Sequence, residues 1–390
     1  MENELFLASI IKKGLDGIDE KVGAIGALVG ADATWKQIQQ MIRGGLGPNA
    51  YPVGTQFTVT HTKYGSLLFD VIAHDHHKNP NDPAAHTMTL LMHDVIYTRP
   101  FDGVEAAYLV TAENHADGLP AGTYHFLIPA GYTSAEAEGW TGIQFTTTET
   151  VPVGGHIVFA WISGNVSAAK ISTYESATAT TAIESNLALS NGTGGTSLGT
   201  MLYNSDNANG YMNHLARLRY GSNNWNESNI RQWLNSDAAS GWWTPKTPLD
   251  RLSSTYAALE GFLNGMDSDF AAALGEVDVV TRKNSVFEAD SDIGTKTYTT
   301  RDKIFLLSND EVGFAVEGIA QGSVVDFYNG AANADRIKYD YSSTATARNW
   351  WLRSPNPGGA DNARIVSRSG AQNNHSACSG IGAAAACVIY

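Results

Sequence analysis

NWWLRSPNPGGADNARIVSRSGAQNNHSACSGIGAAAACVIY, residues 349–390, opens on Trp350, Trp351 and Leu352 and passes through Arg353, Ser354 and Pro355 into a tract of Gly, Asn, Ser and Ala. The apolar opening requires an anchor, because three such side chains bury several hundred Å², worth on the order of 6 kcal/mol. The remainder has too few large side chains to build a core and reads as loops carried on a frame. A fixed anchor bearing small polar residues is how binding surfaces are built.

Working back from this tract, Lys303 to Leu307 reads as a strand, and an irregular Gly-containing stretch joins it to the tract. Ala258 to Leu274 reads as helix in one or two pieces, with Leu259, Phe262, Leu263, Phe270 and Leu274 as its buried set. Asn226 to Asn235 reads as a helix in which Ile230, Trp233 and Leu234 share a face and Glu227 and Arg231 form an i,i+4 pair. Residues 172–200, rich in Ser, Thr, Ala and Gly, read as a long surface excursion. Between 104 and about 165, Gly122 to Ile128, Gly142 to Thr147 and His156 to Trp161 alternate like strands of a separate β insert. Gln56 to Thr60, Ser66 to Ile72 and Thr87 to Met92 alternate in the same way.

At the N-terminal end, Thr34 and Gln37 predict a capping box for a helix over TWKQIQQMIR, stopped by Gly44 and Gly45. Before it, Leu7, Ile11, Leu15, Ile18, Val22, Ile25 and Val29 step by four and three, as in a heptad repeat. Two readings stand side by side: an oligomerising stalk, and an amphipathic helix lying on its own domain.

The 390 residues are 43% hydrophobic and 10% aromatic, enough for a large core in two or three domains, or in one domain with insertions. Charged residues make up only 16% and Gly numbers 39, a balance that favours loops and short strands. A net charge of −14, with no Lys/Arg cluster to offset it, argues against a nucleic-acid partner. Cys378 and Cys387 are the two cysteines, so no disulfide framework is expected. The opening MENELFLASIIKKGLDG has acidic residues where a secretory signal has basic ones, and no stretch reaches the roughly 20 apolar residues of a membrane span. A soluble chain made in the cytoplasm, without membrane insertion, is expected.

Five ordered segments, PVGTQF (52–57), TMTLLMHD (87–94), NWNESNIRQWLNSD (224–237), DKIFLLSNDEV (302–312) and NWWLRSP (349–355), resemble a family of bacterial and phage proteins with a C-type-lectin-like fold. Members of that family are often targets of diversity-generating retroelements. KQIQQMIRGGLGPNAYPVG (36–54) and GFLNGMDSDFAAALG (261–275) resemble a branch found in gut phages as tail or receptor-binding proteins. The resemblance implies an α+β chain: a helical, oligomerising segment at 1–47, a C-type-lectin-like domain at 48–103 and 171–390, and a β-rich insertion at 104–170.

In such targets, error-prone reverse transcription at adenines rewrites the last few dozen codons, and Asn codons tolerate it without giving stops. The resemblance therefore implies a variable tract at 349–381. Its ligand-binding side chains would be Asn349, Asn356, Gly359, Asp361, Asn362, Ser367, Arg368, Asn373, Asn374, His375, Ser376, Cys378, Ser379 and Ile381. Trp350 to Pro355, Gly358, Ala360, Val366, Gly370, Ala371, Ala377, Gly382 and Cys387 would form the invariant frame. The family's usual ending has Pro close before the terminal Cys, whereas Ala384, Ala385 and Ala386 stand here.

The implied function is a phage receptor-binding adhesin on the virion, shown in several copies with a trimer favoured. It would bind a bacterial surface receptor, protein or glycan, and contact other tail proteins. A structural virion decoration protein is the alternative. A formylglycine-type thiol oxidoreductase, which shares the broad fold and pairs cysteines near its C-terminus, is a weaker one. Neither catalysis nor a cofactor is expected. His74, Asp75, His76, His77, His86 and His93 crowd 20 residues, but their spacing matches no common metal site, and Pro80 and Pro83 mark an exposed turn. A solvated loop with one or two structural histidines is expected there, and no metal. GTGGTSLG (192–199) lacks the Lys-Ser/Thr that a phosphate-binding loop requires.

Overall fold

The computed structural model describes residues 33–127, 142–160, 170–175, 184–186, 188–189, 196–200, 217, 220–283, 296–357 and 361–390. The heptad-like expectation at 1–30 lies outside the described residues.

Helix α1 (Trp35–Arg43) starts where the capping box predicts: the Thr34 N–H donates to Gln37 Oε1 at 2.8 Å, and the Gln37 N–H returns to Thr34 Oγ1 at 3.4 Å. Ile38, Met41 and Ile42 fall on one side and are buried. A short α2 (Gly47–Ala50) leads into the first sheet. There β1 (Gln56–His61) and β2 (Gly65–His74) form a hairpin in register from Gln56↔Asp70 to His61↔Gly65, and β3 (Met88–Met92) adds to β2. All five residues of β3 are buried, as in a strand covered on both faces.

The sheet is completed by the end of the chain. Strand β23 (Ala386–Ile389) pairs with β3 on one side and with β13 (Leu274–Gly275) and β16 (Ile304–Phe305) on the other. Gln39 and Arg43 of α1 then donate to the Tyr390 carbonyl at 2.7 and 2.9 Å, tying the helix to the last residue. Ala384 and Ala385, just before β23, are buried.

A second sheet has the order β21-β20-β19-β22-β4, from β4 (Ile96–Arg99), β19 (Trp350–Pro355), β20 (Asn362–Val366), β21 (Gln372–Ser376) and β22 (Ile381–Ala383). Two ribbons, β14 (Val277–Arg282) with β15 (Thr297–Asp302) and β17 (Lys338–Asp340) with β18 (Ser343–Arg348), flank it.

The β insert is larger than expected. β5 (Ala106–Leu109), β8 (His156–Ala160), β9 (Lys170–Glu175) and β10 (Glu184–Asn186) form one four-stranded sheet. β6 (Gly122–Leu127), β7 (Gly142–Thr147), β11 (Ala188–Leu189) and β12 (Thr196–Thr200) form another. The polar stretch 172–200 thus supplies strands, because Ser and Thr fit the exposed face of a sheet as well as they fit a loop.

The expected α+β, C-type-lectin-like class is overturned: the chain is β-rich, with 35% strand against 14% helix. The expected helices shrink for local reasons. α3 (Asn229–Leu234) begins only after Ser228, whose hydroxyl accepts the Arg231 N–H. The stretch 258–274 breaks into a 3-10 turn (Phe262–Gly265) and α4 (Ser268–Ala273). Gly261 is one cause: a Cβ there would lie 2.2 Å from the Ser236 carbonyl oxygen, so the chain runs against its neighbour and cannot coil freely. Glu227 and Arg231 also serve tertiary partners. Arg231 Nε donates to Asp302 Oδ1 at 2.8 Å, and Glu227 pairs with buried Arg217.

Candidate ligand-binding face

β19 forms where Trp350 to Pro355 are predicted to be frame, and all six of its residues are buried. Trp350 Nε1 donates to the Arg336 carbonyl at 2.9 Å and Trp351 Nε1 to the Arg99 carbonyl at 2.7 Å, so both indoles are satisfied as buried indoles must be. Arg353 is 1% exposed. It donates to Glu311 through two bonds of 2.6 and 2.8 Å, and to the carbonyls of Val280, Leu306 and Gln321. Burial alone would raise the Glu311 carboxyl. The Arg353 charge and hydrogen bonds, joined by His77, overcome this and hold it well below the usual carboxylate range.

From this frame β20 and β21 extend as a hairpin in register from Asn362↔Ser376 to Val366↔Gln372. Its turn needs Gly370: φ is 77°, and a Cβ there would meet the Asn333 carbonyl oxygen at 1.6 Å. Ala363, Ile365 and Val366 of β20 are buried, whereas β21 is the edge strand. Asn373 and His375 are exposed along β21, and Gln372, Asn374 and Ser376 are half-buried, the period-two alternation of a strand. One side of the hairpin is braced by the 309–317 loop. Arg364 Nε donates to Glu317 Oε2 at 3.0 Å, and Gln372 Nε2 to Asn309 Oδ1 at 2.7 Å.

The turn after β21 is pinned by backbone hydrogen bonds. The Phe101 and Asp102 N–H groups both donate to the Ala377 carbonyl, at 2.8 and 3.0 Å, and the Cys378 N–H donates to the Tyr220 carbonyl at 2.7 Å. Arg368 is exposed, and Asn349, Asn356, Asn362, Ser367, Cys378 and Ser379 are half-buried. Asn349 Oδ1 accepts the Arg368 N–H at 2.8 Å, and the Asn362 carbonyl accepts the Asn356 N–H at 2.8 Å and Asn223 Nδ2 at 3.0 Å. Asp361, 7% exposed, and Ile381, 4% exposed, are buried and do not present a ligand-facing side chain. Gly359 lies outside the described residues.

The tract therefore brings most of the expected positions onto one hairpin and its flanking turns. The 309–323 loop and Asn223 belong to the same neighbourhood. Periodicity carries no sign of them; the one signal in the sequence is complementary charge, Asp310, Glu311 and Glu317 against Arg282, Arg353 and Arg364.

Behind the 377–380 turn lies a buried charge cluster. Arg217 Nε sits 3.1 Å from Glu105, and the Arg217 guanidinium also holds Glu227, with Asp102 and Asp250 nearby. One cation cannot hold all these carboxylates ionised in a desolvated site. Burial first, then Glu227 and Asp250, push the Glu105 carboxyl up to about 8 against the pull of Arg217. Asp102 is raised as well, by burial and then by Glu227 and Asp250.

The thiols are placed unlike a catalytic pair. Cys378 is half-buried, and burial pushes its thiol up to about 11; Cys387 is wholly buried in β23 and pushed higher still. A nucleophilic cysteine needs the opposite shift.

Three histidines of the 74–93 stretch go to separate partners. His74 Nε2 lies 2.8 Å from the Tyr51 carbonyl, His86 Nδ1 2.9 Å from Asp75, and His93 Nδ1 2.8 Å from Asp70. His77 is a structural histidine of the kind expected in this loop, 8% exposed and 3.1 Å from Glu311. Among the described residues, no helix is long and apolar enough to cross a membrane.

Compared with known proteins, residues 199–389 match a domain of unknown function, DUF6273. No curated protein and no solved structure matches the chain. The match spans β13 to β23, and so includes the frame, the hairpin and the closing strand.

Proposed function

We propose that this chain is a non-enzymatic binding protein of the phage receptor-binding kind, carried on the virion in several copies, with the β20–β21 hairpin and its flanking turns as a retroelement-diversified recognition face. One observation carries the reading: β21 shows Asn373 and His375 to solvent while its partner strand and the preceding β19 are locked into the core. The fold can therefore tolerate many side chains at the exposed positions. Three exposed positions (Arg368, Asn373 and His375) and eight half-buried ones supply part of the roughly 800 Å² per partner of a standard interface. Weak contact by one copy would be multiplied by display in several.

The test exchanges Arg368, Asn373 and His375 together and measures adsorption of purified protein to candidate bacterial cells. Binding should be lost or redirected, with the melting temperature unchanged. Unaltered adsorption by the exchanged protein would falsify the placement of the face. Stoichiometric incorporation into particles with no cell binding by any variant would favour a decoration role. A near-copy of the final coding segment, differing at adenines and lying beside a reverse-transcriptase gene, is what the diversification reading requires.

A further inference from the structure

His76 and His77 follow β2 in the loop that returns to β3, and Glu311 stands 234 positions beyond His77, after β16. The fold brings the three together. Each offers one ligand atom, and these atoms all lie within 4.8 Å of one another. His77 Nε2 and Glu311 Oε1 are already 3.1 Å apart. Two donors on one tetrahedral ion, at bond lengths of about 2.0–2.2 Å, stand roughly 3.4 Å apart. A small inward movement of the His76 ring would complete the set.

We propose that His76, His77 and Glu311 bind a divalent first-row transition-metal ion of the zinc type. Two imidazoles and one carboxylate suit such an ion better than calcium or magnesium, which take oxygen ligands. The outer contacts are those a metal-binding histidine needs. His77 Nδ1 lies 3.1 Å from Thr89 Oγ1, which leaves Nε2 for the ion, and Thr87 Oγ1 donates to the His77 carbonyl at 2.8 Å. Glu311 is oriented by the Ser308 N–H at 2.8 Å and by both Arg353 bonds. Arg353 opposes the ion through its charge. It leaves free, however, the lone pair of Oε1 that now faces His77, because a carboxylate oxygen accepts from more than one direction.

A second observation points to a ligand at the same place. The three residues border a pocket of about 400 Å³ that Gln321 and Gly322 also line. Gln321 is 1% exposed; its Oε1 accepts the Arg282 N–H at 3.1 Å, and its Nε2 has no hydrogen-bond partner among the described residues. An oxygen ligand on the ion would give that amide an acceptor. Three protein ligands with a fourth position toward a pocket is the arrangement of sites that exchange ligands.

The experiment uses the full chain without a histidine tag, freed of metal by chelator and titrated with Zn²⁺ by calorimetry, then with Co²⁺ for its visible spectrum. One Zn²⁺ should bind per chain and raise the melting temperature, and Co²⁺ should give bands of a nitrogen- and oxygen-ligated tetrahedral ion. His76→Ala should weaken Zn²⁺ binding by more than about tenfold and abolish those bands, while melting like the metal-free parent. His93→Ala should bind as the parent does. The proposal is overturned if the parent binds no stoichiometric Zn²⁺ and gives no Co²⁺ bands. It is equally overturned if binding survives His76→Ala but is lost in His93→Ala or His86→Ala.

Discussion

Arg353→Met tests the frame at its centre. The substitution keeps the length and the apolar stem but removes every donor. Glu311, with its side chain 3% exposed, would keep only His77 and the Ser308 N–H as partners, and the Val280, Leu306 and Gln321 carbonyls would each lose a donor. Stranding a buried charge costs about 3–5 kcal/mol, and each lost buried acceptor bond about 1 kcal/mol more. The sum, about 6–8 kcal/mol, rivals the whole stability of an ordinary domain. A drop in the melting midpoint of roughly 7–10 °C is expected for a chain of 390 residues, in a thermal scan followed by circular dichroism.

Two signatures separate stranded charge from lost packing. Glu311→Gln combined with Arg353→Met should melt above the single variant, because the unpaired charge is gone. The difference between parent and Arg353→Met should also narrow in acid. The depressed carboxyl of the parent contributes stability that is present above about pH 4.5 and lost as pH falls toward its folded value, whereas protonation relieves the variant. A single variant melting within about 2 °C of the parent, or a double variant no better than the single, would show that the Arg353–Glu311 pair does not hold this frame.

The Glu105 cluster should act in the opposite sense to Glu311. With its carboxyl raised from 4.5 to about 8, the folded chain holds a proton that the unfolded chain has released, so stability falls as pH rises through that window. The slope approaches about 1.4 kcal/mol per pH unit at most. Denaturant midpoints at several pH values should show it, and Glu105→Gln should flatten it; equal slopes in the two proteins would refute the assignment. With the Cys378 thiol at about 11 and Cys387 buried, thiol-reactive dye at pH 8 should label the folded chain slowly, Cys378 before Cys387, and both at once in denaturant. Rapid labelling of Cys387 in the native protein would contradict its place in β23.

Local structure was legible because its causes are local. The Thr34–Gln37 box starts α1, alternation marks β1, and three bulky residues announce the buried β19. The candidate face was partly legible for the same reason: Asn373 and His375 alternate with half-buried neighbours on one strand. Asp361 and Ile381 were misplaced at the surface because burial depends on what lies across from a residue, and polarity alone does not report that. The helix at 226–235 is shorter than its apolar spacing suggests, and 258–274 falls into two pieces, for a related reason: close contacts such as Gly261 against Ser236 interrupt the coil.

Short-range elements, the need for an anchor at Trp350 and Trp351, and a net charge of −14 were fixed by the order and kind of residues alone. Tertiary structure alone decided that the chain is β-rich, that its last strand fills the middle of a sheet begun near its start, and that Glu311 meets both His77 and Arg353. The physical reason is the range of the forces involved. Caps and alternation are satisfied by neighbours a few positions away, whereas strand partners and buried charges are satisfied across space, by residues that only the closed fold brings within bonding distance.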